Sequence, residues 1–239
     1  MRDQILVSLD LETTGLDPEE DAIIEIGAIK FRGDQDIETF HTLVNPHCPL
    51  SYRICMLTGI AQEELDAAPD FAAVADNLVS FIGDHPIVGQ NINFDLEFLR
   101  AQGLGFTNTI YDILEVTNIL LPQIQDYTLG TLARVLEVSC PVQHRALADA
   151  VTVKGVLLSL LDKAAGFDLP VIAEINRLTA SSNWSWRPFF LDLERAKVGK
   201  TSLWDRQAWE ADFVPRPAEL PDRKPLTATG STRPLDLKW

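Results

Sequence analysis

Cysteine is scarce in this 239-residue chain: Cys48, Cys55 and Cys140 are all it has. They form neither a CxxC pair nor an even set, which argues against a disulfide framework and a thiolate zinc site and points to a reducing compartment. Long apolar runs are missing as well. No stretch approaches the roughly 20 residues that span a bilayer, and no basic, apolar leader is evident. A cytoplasmic protein with no membrane partner is the expectation. Positive charge is in short supply: 20 Lys and Arg stand against 35 Asp and Glu, a formal net charge of −15. That balance argues against a protein that holds nucleic acid by broad phosphate neutralisation. It leaves room for one that grips only a strand end.

Hydrophobic residues make up 46% of the sequence. A chain of this length has room for one sizeable domain plus an extension. Period-two segments predict strands near 4–11, 22–32 and 36–44, with Arg32-Gly33-Asp34-Gln35 as a hairpin turn. Short helical pieces follow near 51–57 and 60–65. A helix over 70–83 carries Phe71, Val74, Leu78, Val79 and Ile82 at helical spacing, read as a core stripe. Next come a short strand at 86–89, a helix at 93–102, a strand near 109–112 and a helix at 113–120 stopping at Pro122. Helices near 128–136, 146–161 and 170–180 complete the pattern. An antiparallel start followed by alternating helices and strands predicts a mixed α/β sheet.

Three segments carry chemistry. The first is Ile5 to Gly15, an apolar run ending in D-x-E-T-T-G. Asp10 and Glu12 stand at i and i+2 of a strand and so share one face. Two such carboxylates repel and are costly to bury unpaired. A hard divalent cation, magnesium or manganese, satisfies them; for D-x-E alone, a solvated strand end fits equally well. The second is Val88 to Leu99, a buried strand, a polar turn and a helix start in which Asn93 can cap and Asp95 lies in the first turn. By itself this is also ordinary capping. The third runs from His144 to Asp149 at the head of a long apolar helix, where a capped helix with a solvated histidine is the plain alternative. Asp112, at a strand end, reads as solvated or as a neighbour of the site.

Taken together, these segments resemble the DnaQ-like, or DEDDh, family of 3′→5′ exonucleases, which includes the proofreading epsilon subunit. The match covers roughly residues 3–162, with D-x-E, N-x-x-F-D and H-x-x-x-x-D in the family's order. The resemblance implies a ribonuclease H-like fold, a mixed five-stranded sheet with helices on both faces. It implies that Asp10, Glu12, Asp95 and Asp149 bind metal and that His144 is the general base. The interval from His144 to Asp149 places the chain in the histidine group rather than its tyrosine sister group. Leu57-Thr58-Gly59-Ile60 resembles the segment that packs on the terminal nucleotide, and Asp126 to Ala133 the helix start before the histidine loop. Thr13, Leu57, Thr58, Asn91, Phe94 and His144 are then the expected substrate contacts.

Elementary chemistry agrees. Four converging carboxylates carry about four negative charges, which two divalent ions neutralise. Two ions about 3.5–4 Å apart clamp the attacking and leaving oxygens of an in-line displacement at phosphorus. An imidazole titrates near neutral pH and suits the base role. The expected activity is removal of mononucleotides from single-stranded 3′ ends, DNA favoured over RNA. A non-catalytic docking module on the same fold belongs to a different class. A missing carboxylate would favour it, and none is missing.

The organisation expected is an exonuclease domain over 1–165, a mostly helical extension over 166–214 and a Pro-rich linker or tail over 215–239. All five tryptophans follow residue 180. They read first as anchors docking the extension, and otherwise as a partner site or a base-stacking surface. Residues 1–186 hold 27 acidic and 10 basic side chains, whereas 187–239 hold 8 and 10. This layout is similar to the N-terminal nuclease module of DinG-type helicases, so a helicase or polymerase module is an expected partner.

Overall fold

The computed structural model describes residues 1–140 and 142–200. Trp204, Trp209, Trp239 and the Pro-rich segment from 215 lie outside the described residues. Five strands, β1 (Leu6–Thr13), β2 (Ile23–Arg32), β3 (Gln35–Leu43), β4 (Ile87–Gly89) and β5 (Ile110–Asp112), form one sheet in the order β3-β2-β1-β4-β5. β1, β2 and β3 pair antiparallel, and β4 and β5 add in parallel on the other side of β1. A tight hairpin joins β2 to β3, since Gly33 supplies the positive φ of the Arg32–Gln35 turn, while residues 14–22 link β1 to β2. Helical crossovers give the parallel half.

The helices are α1 (Tyr52–Thr58), α2 (Gln62–Asp66), α3 (Phe71–Ile82), α4 (Asn93–Ala101), α5 (Ile113–Leu120), α6 (Leu129–Val135), α7 (Ala146–Ala165), α8 (Leu169–Leu178) and α9 (Arg187–Lys200). They lie on both faces of the sheet, so the expected mixed α/β architecture is present. Alternation along β1 assigns the faces. Val7, Leu9 and Leu11 pack with α3 and α4, while Leu6 joins a larger cluster with α5, α6 and α7. A third, small cluster of Ile24, Ile54, Ile60 and Leu65 seats α1 and α2.

Local details depart from the sequence expectation in three places. Val79 is 43% exposed, whereas Phe81 is buried and takes its place in the stripe of α3. Position 79 lies about 100° around the helix from Leu78, outside the arc that Val74, Leu78 and Ile82 define. Asn93 does not cap α4. Ile92 holds the cap position without a side-chain bond, because the turn is tied from outside instead. Asp112 does that tying: its Oδ1 accepts from the amides of Leu114 and Asn91, at 2.9 and 3.0 Å, so it caps α5 and pins the β4–α4 turn together.

The segment after Gly166 packs on the same core. Ile172, Trp186 and Phe190 are buried in the cluster with α5 and α7. The Trp186 ring lies 5.0 Å from that of Tyr111, and its indole N–H donates to the Asp112 carbonyl at 3.0 Å. Trp184 donates to Glu115 at 2.9 Å. Both tryptophans therefore serve as packing anchors with satisfied N–H groups. Trp186→Ala removes the largest fully buried side chain, and unfolding in urea is expected to show a loss of about 3–5 kcal/mol. A loss below about 1 kcal/mol would show that the extension packs independently of the sheet.

Candidate active site

The face of the sheet beneath α7 changes character along its length. On β1 it carries Leu6, Ser8, Asp10 and Glu12 in turn, and the facing β2 positions are Phe31, Ile29, Gly27 and Glu25. The apolar cluster ends where the carboxylates begin. α7 can lie flush at this point because Gly27 has no side chain: a Cβ there would stand 2.0 Å from the Leu147 nitrogen. The first turn of α7 is thereby set down beside Asp10 and Glu12.

Two helix starts bring the remaining acids. Asp95, buried in the first turn of α4, accepts from the Leu11 amide at 2.9 Å, between Asp10 and Glu12 in the chain. Asp149, buried in the first turn of α7, accepts from the His144 amide at 2.7 Å through Oδ2. Ligand atoms of Glu12, His144 and Asp149 all lie within 4.8 Å of one another. His144 has a φ of +61° and Asn91 one of +53°, the left-handed region that non-glycine residues rarely adopt. Such conformations cost about 1–3 kcal/mol each and persist where surroundings enforce them.

The electrostatics divide the acids into two kinds. Burial raises the Asp10 carboxyl well above its usual range, and the neighbouring Asp95, Asp149, Glu12 and Glu25 raise it further. Glu12 is pushed up to about 8, first by burial and then by Asp149, Glu25 and Asp95. Asp149 is raised by burial against the opposing bonds from His144 and Arg145. Glu25 behaves otherwise. Burial alone would raise it, but hydrogen bonds from Arg145, the Ala146 amide and His41 outweigh that and lower it. So the charge of Glu25 is matched within the protein, while Asp10, Glu12 and Asp149 are left short of positive partners. Asp149 Oδ1 is buried without a hydrogen-bond partner among the described residues. An acidic corner with an orphaned oxygen and a histidine fits a hard divalent cation.

A pocket of about 160 Å³ opens beside these groups, walled by Thr13, Leu16, Ile54, Leu57 and Phe94 together with Glu12 and His144. Thr13, Leu57, Phe94 and His144 of the expected substrate contacts therefore line one cavity. Thr58 does not. It is buried, and its hydroxyl donates to the Ile54 carbonyl and accepts from the Ile60 amide. Asn91 lies exposed outside the lining, its amide held by Asp112. Sequence reasoning missed Glu25, His41 and Arg145. The available signal was a lone glutamate inside the apolar run Ile23 to Phe31, since a buried carboxylate requires partners.

Residues 7–157 match the family model RNase_T, described as exonuclease. Among related sequences, the PolC-type DNA polymerase III of Caldanaerobacter subterraneus subsp. tengcongensis is 36% identical over 174 residues, 71% of this chain and 12% of that one. The PolC-type DNA polymerase III of Bacillus subtilis is 33% identical over 189 residues, 77% of this chain and 13% of that one. The chain thus spans about one-eighth of the length of these relatives. Among solved structures, exonuclease X in complex with 5′ overhanging duplex DNA aligns with a TM-score of 0.57 at 21% identity, covering 71% of this chain and 98% of that one. The nuclease domain of 3′hExo, a DEDDh family member bound to rAMP, aligns at 0.59 and 19% identity, covering 66% and 92%. These structural likenesses show the same fold.

The raised pKa of Glu12 sets a pH dependence. Between about pH 4.5 and about pH 8 the folded protein keeps a proton that the unfolded chain has released. Stability in metal-free buffer therefore falls as pH rises through that window. Glu12→Gln is expected to raise the melting temperature in chelator, with a larger gain at pH 8 than at about pH 5, and added manganese should shrink the difference. Thermal melts across pH decide this, and identical pH profiles for the two proteins would remove Glu12 from the acidic cluster.

Proposed function

The chain belongs to the RNase_T exonuclease family, DnaQ-like in its motifs, and on that footing we propose that it hydrolyses phosphodiester bonds from single-stranded 3′ ends and releases mononucleotides. DNA is the preferred substrate. The observation that carries the reading is the grouping of Glu12, His144 and Asp149, with Asp10 and Asp95 electrostatically coupled to them, beside a pocket of about 160 Å³. Two divalent ions, Mg²⁺ or Mn²⁺, held by the four carboxylates would neutralise their charge and stabilise the attacking and leaving oxygens.

The protein's own groups do the rest. Phe94 and Leu57 offer apolar surface to the terminal base and sugar, and Glu12 and His144 border the same pocket. His144 takes the proton of the attacking water, and its backbone is fixed by the bond to Asp149. Asp95, bonded to the Leu11 amide, keeps the α4 start registered against β1. Positioning and charge neutralisation then supply most of the acceleration. The PolC-type relatives favour a polymerase over a helicase as the assembly in which this module works.

End-labelled oligonucleotides test the reading. Cleavage is expected to start at a free 3′ hydroxyl, to proceed with manganese and to stop in excess chelator or in Asp10→Ala and Asp149→Ala. Efficient nicking of circular DNA, or full activity in chelator, would overturn it. RNA trimmed faster than DNA would move the substrate assignment to RNA.

His144→Ala is expected to slow turnover by about 10²–10⁴-fold, with manganese binding retained. An unaltered rate would take His144 out of the mechanism.

A further inference from the structure

We propose that Glu25 is a positioning residue of this site: held by Arg145, the Ala146 amide and His41, it seats the first turn of α7 and fixes the loop that carries His144. The proposal rests on the exonuclease reading above. It adds a residue outside the four carboxylates and the histidine.

The geometry is a junction of three elements. The Glu25 side chain is 1% exposed. Its Oε1 accepts from Arg145 Nη2 at 2.9 Å and Nε at 3.1 Å, and its Oε2 accepts from Arg145 Nε at 3.2 Å. Oε2 also accepts from the Ala146 amide at 3.0 Å, and His41 Nε2 on β3 lies 2.6 Å from Oε1. Arg145 is the residue before α7 and makes no side-chain cap of its own. A carboxylate from a different strand therefore caps this 20-residue helix, where the helix dipole favours an anion. Two residues along β2, Gly27 clears the space that lets the same turn approach the sheet. Glu25 and Gly27 form one seat, and they face Glu12 and Asp10 across the β1–β2 pair.

A stability role alone does not account for this arrangement. Buried ion pairs are often no better than apolar packing of the same volume. This one adds a negative charge to a corner where Glu12 and Asp10 are already raised by Glu25. What the contact supplies is direction. His144 sits in a left-handed conformation one residue before Arg145, and the bonds of Arg145 and Ala146 to Glu25 lie immediately after it. Arg145, Glu25 and His41 share the lining of one open groove with Val142 and Val151, and Glu25 accepts the hydrogen bonds from the Arg145 head.

The test compares Glu25→Gln, Arg145→Gln and the double variant. Arg145→Gln breaks the same link from the half-exposed side, so it remains informative if Glu25→Gln folds poorly. Single-turnover cleavage of a short DNA oligonucleotide at saturating enzyme with manganese is unaffected by the fraction of misfolded protein. Each single variant is expected to be slower by about tenfold to a hundredfold, with KM little changed. The double variant should be no slower than the slower single, since both act through one contact. Amide hydrogen exchange at His144 and Ala146 should speed up by about tenfold in both single variants. Single-turnover rates matching the wild type, or losses that multiply in the double variant, would overturn the proposal. A wild-type protein that cleaves nothing would sink the exonuclease reading by itself. The exchange comparison still decides the seat in that case, because unchanged exchange at His144 would show that Glu25 does not hold the loop.

Discussion

Like charges held together at the end of one sheet face are the constraint on which this structure turns. Asp10 and Glu12 come from β1, Glu25 from β2, Asp95 from α4 and Asp149 from α7, and the carboxyls of Asp10 and Glu12 are raised by burial and by the charges gathered around them. A folded chain keeps such a corner only if something else fixes the elements that bring it there. Here the fixing is done by apolar packing on either side. Val7, Leu9 and Leu11 anchor β1 to α3 and α4, and Leu6, Ile29 and Phe31 anchor the sheet to α7. The acids are carried into contact largely by this apolar packing, with the Leu11 amide bonded to Asp95 as the polar link. Arg145 makes its hydrogen bonds to Glu25, while the carboxyls of Asp10, Glu12 and Asp149 stay raised, chiefly by burial.

Backbone strain follows the same logic. Among the described residues, four non-glycine positions have positive φ, and two of them, Asn91 and His144, stand in loops that lead into α4 and α7. Each is held by a carboxylate accepting a backbone amide: Asp112 for Asn91 and Asp149 for His144. The helix starts are thus aimed by short polar contacts, while the helix bodies are secured by apolar ones. This division explains why Asp112 belongs to the architecture of the site although it contributes no ligand to the acidic cluster.

Much of the fold was legible because strand and helix periodicities differ. The alternation in β1 to β3 and most of the helical stripe of α3 were readable in the sequence. The family was legible because D-x-E, N-x-x-F-D and H-x-x-x-x-D occur in one order. What was not legible depended on contacts between distant segments. Thr58 reads as a pocket residue until its hydroxyl is seen to be used within the α1 turn. Asn93 reads as a cap until Asp112 is seen to tie that turn instead. Val79 fits a loose stripe but falls off the buried arc. Glu25 was visible as an anomaly in an apolar strand, yet its partner lies 120 residues away, a distance that no local pattern spans.

The acidic balance gives the site its remaining character. Residues 1–186 hold 27 acidic and 10 basic side chains. At physiological ionic strength the screening length is about 8 Å, so any charge inside the pocket is governed by the groups that touch it. Phosphates further along the strand meet the rest of the surface, where the excess of carboxylates offers little attraction. Such a surface is poorly suited to hold a long nucleic-acid strand by charge. The chain spans about one-eighth of the length of its PolC-type relatives, and on the function proposed above, strand binding falls to groups other than this acidic surface.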